Sequence, residues 1–536
     1  MAKSKGILKN TMIVGAFTAL SRVFGLVREM FQSRLIGAGV EQSAFTLAFA
    51  IPNAARKLFG EGALTAAFVP IFKGSVESET LEKAAKLARS VMTMVLLMLG
   101  AIVLIAMGSL EVVVKFRNEL GLQDMERLKL TIRLVKTLLP YMIFICGAAF
   151  GMGVMNALGK FRASSFMPCI LNIFWIGILV WISFFPGMRL DQRIHRVAMA
   201  ILVAGAVQMF FMFWCMAKAG ITPRLSFAGW GDEKVRLVWH NIAIAALGAG
   251  AIQINYMLDQ FLAQIASPWA AGVIGYAERL MDLPLGIIGV AFGTVLLPTF
   301  AGLFAKGDID GARSTLASSV KSLMFIMLPA AAGLFALAPE ITSVIYEGGD
   351  FDSMATIRVS RALAVYSLGL GFFGFSKSIV PWFHAQNDMK TPLHVAVGTV
   401  VLNASLNIIA VLLLPVEWRH VGLAASTVVC SAAGCCALII FARRKNGCLG
   451  LIAIIPNIFK MGSVALFMGC TIWFLRFPIK NLVANLLSGK VAANIFSLGA
   501  LVVLGGLIYG ATSCLVLRGE VKTLLKRRKR PQSTKL

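Results

Sequence analysis

This chain is short of charge. Only 14% of its 536 residues are charged, against about a quarter in soluble globular domains. With 58% hydrophobic residues and a mean hydropathy of +0.81, that shortage excludes a water-soluble globular protein. Acidic residues are scarcer still: 25 Asp and Glu face 51 Lys and Arg, a formal charge of +26. The basic residues gather in short gaps between apolar runs and in the tail Lys526-Arg527-Arg528-Lys529-Arg530. That is the positive-inside pattern with attraction to anionic lipid headgroups, so membrane lipids are the implied partner and nucleic acid is not. The five histidines (His195, His240, His384, His394, His420) are scattered without metal spacing. No G-x-x-x-x-G-K-[ST], H-E-x-x-H or G-x-S-x-G occurs, which removes a built-in ATPase and the common hydrolase signatures. The nine cysteines lie mostly in apolar segments and lack zinc-finger spacing, as small core residues do. No cleavable signal is expected: the first apolar run contains Arg22 and Arg28 and has no small-residue cleavage site after a short h-region.

What is present is a series of apolar runs. About fourteen of them are long enough to span a bilayer, near 7–33, 41–68, 87–112, 132–156, 165–185, 196–217, 237–262, 270–300, 315–338, 357–382, 392–414, 421–442, 452–475 and 493–517. The expected fold is an all-α polytopic membrane protein. Lys and Arg accumulate in alternate gaps, which puts both termini in the cytoplasm and the acidic Glu340–Asp352 stretch outside. A faint repeat runs through the chain. Phe68-Val69-Pro70-Ile71-Phe72 resembles Leu296-Leu297-Pro298-Thr299-Phe300, and Ala157–Arg162 resembles Ala385–Lys390 at the same offset. The period covers six spans, an even number, so the copies point the same way, with a substrate path expected between them. The expected division is a first lobe at 1–222, a second at 223–446, two additional helices at 447–518 and a basic cytoplasmic tail at 519–536.

Ionisable groups interrupt the spans in Ser21–Phe72. Arg22, Arg28 and Glu29 follow the first apolar run, and Asn53, Arg56, Lys57 and Glu61 sit in the second. Each charge at membrane depth costs roughly 2.5–3.5 kcal/mol on insertion scales, so such groups face a bundle interior or a wet cavity. Arg22 and Glu29 share one helical stripe, Ser21 and Arg28 another, and Asn53, Arg56, Lys57 and Gly60 a third. Lys57 and Glu61 form an i, i+4 pair, and Pro52 is expected to kink or restart the second helix. Lys57 and Arg34 read better as residues snorkelling to the headgroups; Arg22, Arg28 and Arg56 read better as lining a cavity. Cations dominate, which points to an anionic guest. Further along, Glu278, Arg279 and Asp282 precede Pro284, and an Arg279–Asp282 pair competes with a role in binding. Asp259 lies in the seventh span. Asn403 and Asn407 share a face of the eleventh, where joining helices by hydrogen bonds is the plainer role.

Four stretches, SRVFGLVRE, IPNAARKLFGEGALTAAFVPIF, YAERLMDLPLGIIGVAFGTVLLP and QNDMKTP, resemble the MurJ (MviN) family of lipid II flippases, in the multidrug/oligosaccharidyl-lipid/polysaccharide exporter superfamily. The likeness covers essentially the whole chain. It implies a transporter rather than an enzyme: fourteen helices in two six-helix lobes plus two C-terminal helices, carrying lipid II from the inner to the outer leaflet of the bacterial cytoplasmic membrane. It implies substrate-binding roles for Arg22, Arg28, Arg56 and Arg279, with Asn53, Ser21 and Glu29 beside them. It also implies a groove for the lipid tail around 452–517. A coupling ion, Na+ or H+, is implied at Asp259, Asn403 and Asn407, and no other cofactor; cell-wall synthesis proteins are candidate partners. Three positions depart from the family pattern: Glu29 and Ser43 stand where many members have Asp, and Asn407 where sodium-binding members have a carboxylate. Two alternatives stay open. A cation-coupled exporter of drugs or another polyprenyl-linked polysaccharide would put acidic groups in its cavity if its cargo were cationic. A non-transporting cell-wall scaffold would leave the arginines inside the spans unexplained.

Overall fold

A computed structural model describes residues 2–58, 64–116, 125–487 and 489–518. Glu61, the middle of the loop between Lys115 and Lys129, and the basic tail lie outside the described residues. The elements are α1 (Ala2–Ile36), α2 (Val40–Ala55), α3 (Leu64–Ser78), α4 (Leu81–Phe116), α5 (Met125–Leu138), α6 (Tyr141–Ala157), α7 (Phe161–Ser183), α8 (Leu190–Lys218) and α9 (Glu233–Ala266). They continue with α10 (Ala270–Ala305), α11 (Ile309–Ala336), α12 (Ala338–Tyr346), α13 (Ser353–Leu368), α14 (Leu370–His384), α15 (Lys390–Leu413), α16 (Val416–Asn446), α17 (Ile455–Leu486) and α18 (Lys490–Val516).

Helix dominates for a physical reason: in lipid, every backbone polar group has to be satisfied within its own segment. Among the described residues, nine helices are long and apolar enough to cross a membrane, and the bent pair α13–α14 makes ten. The protein is therefore a multi-pass membrane protein. Helix ends follow local chemistry. Asp232 caps α9 by accepting from the Lys234 N–H at 2.9 Å, and Asp308 caps α11 by accepting from the Gly311 N–H at 2.8 Å. Gly37 ends α1 at φ +75°, and a Cβ there would meet the Asp350 carbonyl oxygen at 2.4 Å.

The chain forms two units. The first holds residues through Gly272 together with Gly348–Asp352; the second holds Val273–Glu347 and everything from Ser353 on. In the first unit α1 packs on α7, α6 and α7 on α8, and α2 and α3 on α9. Its core includes Phe45, Phe68, Phe72, Tyr141, Phe150 and Trp175. The five-residue segment Gly348–Asp352 joins this unit at the end of α1. The Asp350 N–H donates to the Arg34 carbonyl at 2.9 Å, and Arg193 Nη1 donates to Asp350 Oδ2 at 2.7 Å and to the Leu35 carbonyl at 3.1 Å. In the second unit α17 packs on α18 and α11, α15 on α16, and α12 on α13.

Candidate functional site

Ser21, Arg28 and Gln32 recur at i, i+7, i+11 along α1, which sets them on one stripe. That stripe meets α7. Asn172 Nδ2 donates to the Ser21 carbonyl at 3.2 Å and to Ser21 Oγ at 3.4 Å, while Asn172 Oδ1 accepts from Arg28 Nη1 at 3.1 Å. Arg28 Nη2 pairs with Glu29 Oε1 at 2.5 Å. The Arg28 guanidinium lies 4.2 Å from the centroid of the Trp175 ring. Trp175 Nε1 in turn donates to Gln32 Oε1 at 2.6 Å, and Gln32 Nε2 donates to Gln42 Oε1 at 2.9 Å. The chain of contacts thus crosses from α1 to α7, back to α1 and on to α2. Phe45 and Phe49 stand edge-on to Trp175 at 5.6 and 5.5 Å, and Phe49 lies 6.1 Å from Tyr141.

Energetically this is a buried ion pair in an aromatic surround. The Arg28 and Glu29 side chains are 17% and 7% exposed. Such pairs add little net stability because desolvation offsets attraction, but removing one partner strands the other charge. The planar guanidinium suits the site: it takes a carboxylate on one edge, an amide on another and an indole on its face. Arg28, expected to line a cavity, is thus engaged on three sides by protein.

Arg56 follows a different design. It caps α2, and its Nε and Nη2 donate to Asn53 Oδ1 at 3.2 and 3.1 Å, an i, i+3 contact. Residues 56–58 form a π-helical turn, a distortion that recurs at functional sites. Pro52 does not break the helix: it lies buried inside α2, which runs on to Ala55. Lys57 is exposed, with its Nζ 5.3 Å from the Tyr256 ring centroid. Ser43 is buried and its Oγ accepts from the Gly272 N–H at 2.9 Å. A Cβ on Gly272 would crowd Gln42 and Ser43 at 3.1–3.3 Å.

The structure therefore gathers Ser21, Arg28 and Glu29 into one network and joins Asn53 to Arg56. Arg22 is exposed on α1. Arg279 lies half-buried on α10, in the other unit, next to Glu278, whose Oε1 accepts from the Tyr366 hydroxyl at 3.3 Å. Asp259 Oδ2, in the first unit, accepts from Asn255 Nδ2 at 3.1 Å. Asn403 and Asn407, in the second, are buried, with Asn407 Nδ2 donating to Asn403 Oδ1 at 2.7 Å. Among the described residues, no group of three or more His, Cys, Asp or Glu side chains could hold a metal ion. The sequence reading missed Asn172 and Trp175. Their i, i+3 spacing in an otherwise apolar span was the available signal.

Solved structures share this helical, many-span fold. One is "Lipid II flippase MurJ, inward closed conformation", with a TM-score of 0.74 at 22% identity, covering 95% of this chain and all of that one. Another is an inward-facing multidrug resistance MATE family transporter of the MOP superfamily, at 0.66 and 17% identity, covering 80% and 95%. The family follows from sequence. The model for "Lipid II flippase MurJ" matches residues 32–491. Relatives named probable lipid II flippase MurJ include that of Rickettsia prowazekii, 31% identical over 78% of this chain and 81% of its own. That of Vibrio cholerae is 32% identical over 79% and 80%, and that of Haemophilus influenzae 29% identical over 94% and 98%. This chain belongs to the lipid II flippase MurJ family.

Proposed function

We infer that this chain is a lipid II flippase, which moves the lipid-linked peptidoglycan precursor from the inner to the outer leaflet by alternating access and makes no covalent change to it. The observation that carries this reading is the family match over residues 32–491. The chemistry agrees. A pyrophosphate cannot cross hydrocarbon unaided, and arginine stays charged while presenting a fork of donors to phosphate oxygens. Arg22, Arg28, Arg56 and Arg279 are the substrate-binding cations, with Ser21, Asn53 and Glu29 as their polar neighbours. Glu29 has a defined task in this scheme. It holds the Arg28 guanidinium when no guest is present and yields it to a phosphate oxygen, so the arginine is never left bare and never fully neutralised. The lobes at 1–222 and 223–446 are the alternating parts, and 447–518 carries the lipid tail. Asp259, Asn403 and Asn407 are the coupling residues, for Na+ or H+. The setting is the bacterial cytoplasmic membrane with both termini inside, where cell-wall synthesis proteins are the natural neighbours.

The decisive experiment is a leaflet-resolved lipid II assay in cells depleted of the protein. Lipid II should collect in the inner leaflet and clear when the chain is restored; unchanged sidedness sinks the reading. Orientation has its own check. Met354→Cys, at an exposed position, should react with an impermeant thiol reagent from outside, and the exposed native Cys448 only after permeabilisation; the reverse pattern inverts the topology.

A further inference from the structure

The second unit carries a polar site that the flippase reading does not use. Arg476 lies 21 residues beyond Ile455, the start of α17, or about 30 Å along the helix at 1.5 Å per residue. That is about the thickness of the hydrocarbon core. Its level is therefore the headgroup layer opposite the basic Arg443-Arg444-Lys445 turn that ends α16. Trp473, 45% exposed beside it, is the residue type that marks such an interface. At this level α12, α17 and α18 enclose a cavity of about 190 Å³, lined by Glu340, Glu347, Arg476, Lys480, Asn494 and Ser497. It is smaller than the ~300–1,000 Å³ of a drug-sized site, and matches one headgroup.

The site is built but incomplete. Arg476 Nη1 stands 3.9 Å from Glu340 Oε1, too far for a close hydrogen-bonded pair. The guanidinium is held by the Trp473 and Phe477 rings, 4.8 and 4.6 Å from their centroids. Among the described residues, Glu340 Oε2 and Arg476 Nε are buried without a hydrogen-bond partner. Native structures rarely leave such atoms unpaired. Two carboxylates and two cations line the cavity, so its charges cancel. A simple anion would meet Glu340 and Glu347, and a simple cation would meet Arg476 and Lys480. A guest carrying both signs a few bonds apart satisfies all four.

We propose that this cavity binds the headgroup of an aminophospholipid, with its primary ammonium against Glu340 and Glu347 and its phosphate diester against Arg476 and Lys480. The acyl chains run along α17 past the exposed Trp473 and Phe477. A primary ammonium offers three N–H donors to the carboxylates, and a trimethylated one offers none.

The test uses the full-length protein in nanodiscs of phosphatidylethanolamine, phosphatidylcholine and phosphatidylglycerol with identical acyl chains. The lipids that stay bound are counted by native mass spectrometry. Phosphatidylethanolamine should be retained about tenfold or more over phosphatidylcholine, the effect of one charge-assisted hydrogen bond. Arg476→Ala should abolish retention. Glu340→Gln with Glu347→Gln should keep lipid bound but erase the preference for the ethanolamine headgroup. Lys480→Ala, at an exposed position that the fold does not depend on, should weaken retention severalfold with an unchanged melting temperature. Equal retention of the three lipids by the unaltered protein overturns the proposal, and so does an intact preference in the double glutamine variant. Soluble phosphoethanolamine separates the sources: failure to displace the lipid supports a membrane lipid, and binding of the soluble compound alone overturns it. Lipid II flipping is not the readout, so failure here leaves the flippase reading untouched, and failure of that reading leaves this one.

Discussion

Arg28 and Arg476 are built from the same parts and left in opposite conditions. Each is a mostly buried arginine lying over an aromatic ring with a glutamate beside it. Around Arg28 the carboxylate is at 2.5 Å and an amide closes another edge; around Arg476 the carboxylate is at 3.9 Å. The exposures of the two arginines hardly differ, 17% and 16%. Burial alone, then, does not tell a resting charge from a receptive one. The difference lies in how far the carboxylate stands back. In the roles proposed for them, Arg28 exchanges a partner for its guest, whereas Arg476 only accepts one.

Four measurements break or sharpen that contrast, from the largest expected effect to the smallest. Arg28→Ala strands the buried Glu29 and should cost about 3–5 kcal/mol, seen as lowered membrane abundance. Adding Glu29→Gln should restore abundance but not flipping. Ordinary abundance of the single variant would show that the pair is not under the strain its burial implies. Arg476→Ala, whose glutamate stands farther off and is more exposed, should lose less protein in the same assay.

Arg56→Ala removes a cation and its donors to Asn53 Oδ1, and flipping should slow. The expected loss is about 1.5–3 kcal/mol of phosphate binding, or roughly tenfold to a hundredfold. Arg56→Lys should recover part of it, since the charge remains and the fork does not. Full recovery by lysine would remove the argument for bidentate contact.

Asp259→Asn keeps the size of the side chain and removes its charge. Flipping driven by sodium or proton gradients should then lose its gradient dependence. Unaltered transport under every gradient tested ends the coupling role.

The smallest effect concerns Asp388, between α14 and α15 and outside the spans. Burial pushes its carboxyl up, but the Thr391 N–H at 3.0 Å, Lys445 Nζ at 2.9 Å and the Thr391 hydroxyl at 2.9 Å outweigh that and hold it down at about 2. A lowered folded-state value means the contribution is complete above the ordinary 3.8 and is lost as pH falls through about 2. Lys445 is 46% exposed, so Asp388→Asn should cost only about 0.2–1 kcal/mol at pH 7. Its melting temperature should meet that of the parent near pH 2. A gap that persists in acid would assign the effect to packing.

Much of the fold was legible because a bilayer tolerates so few structures. The apolar runs fall largely on helix; residues 59–63 are outside the described residues, and the run at 132–156 breaks at Leu139-Pro140 between α5 and α6. The breaks were harder to read. The run at 357–382 is two helices bent by 44° at Gly369, where a Cβ would meet Phe373 at 2.7 Å and Val428 at 2.8 Å. Part of that requirement comes from Val428 of α16, far along the chain, and is invisible in the local sequence. Pro52 carried a local mark and misled, because the chain distorts after it, at 56–58. The arginines were legible as charges out of place in apolar runs. Their partners were not: Asn172 is 144 positions from Arg28, and one asparagine in an apolar span gives no hint of what it will face.

The segment Gly348–Asp352 has a consequence for the order in which the protein is made. The carbonyls of Arg34 and Leu35, at the end of α1, receive their donors from Asp350 and Arg193. The aspartate that completes this arrangement is translated after all the helices of the first unit. Domains generally fold as units during synthesis, N-terminal part first, but this one cannot finish when its last helix is inserted. Until Asp352 has been delivered, the nascent first unit waits with one corner open, and a chain stopped at Gly272 would keep that corner open for good.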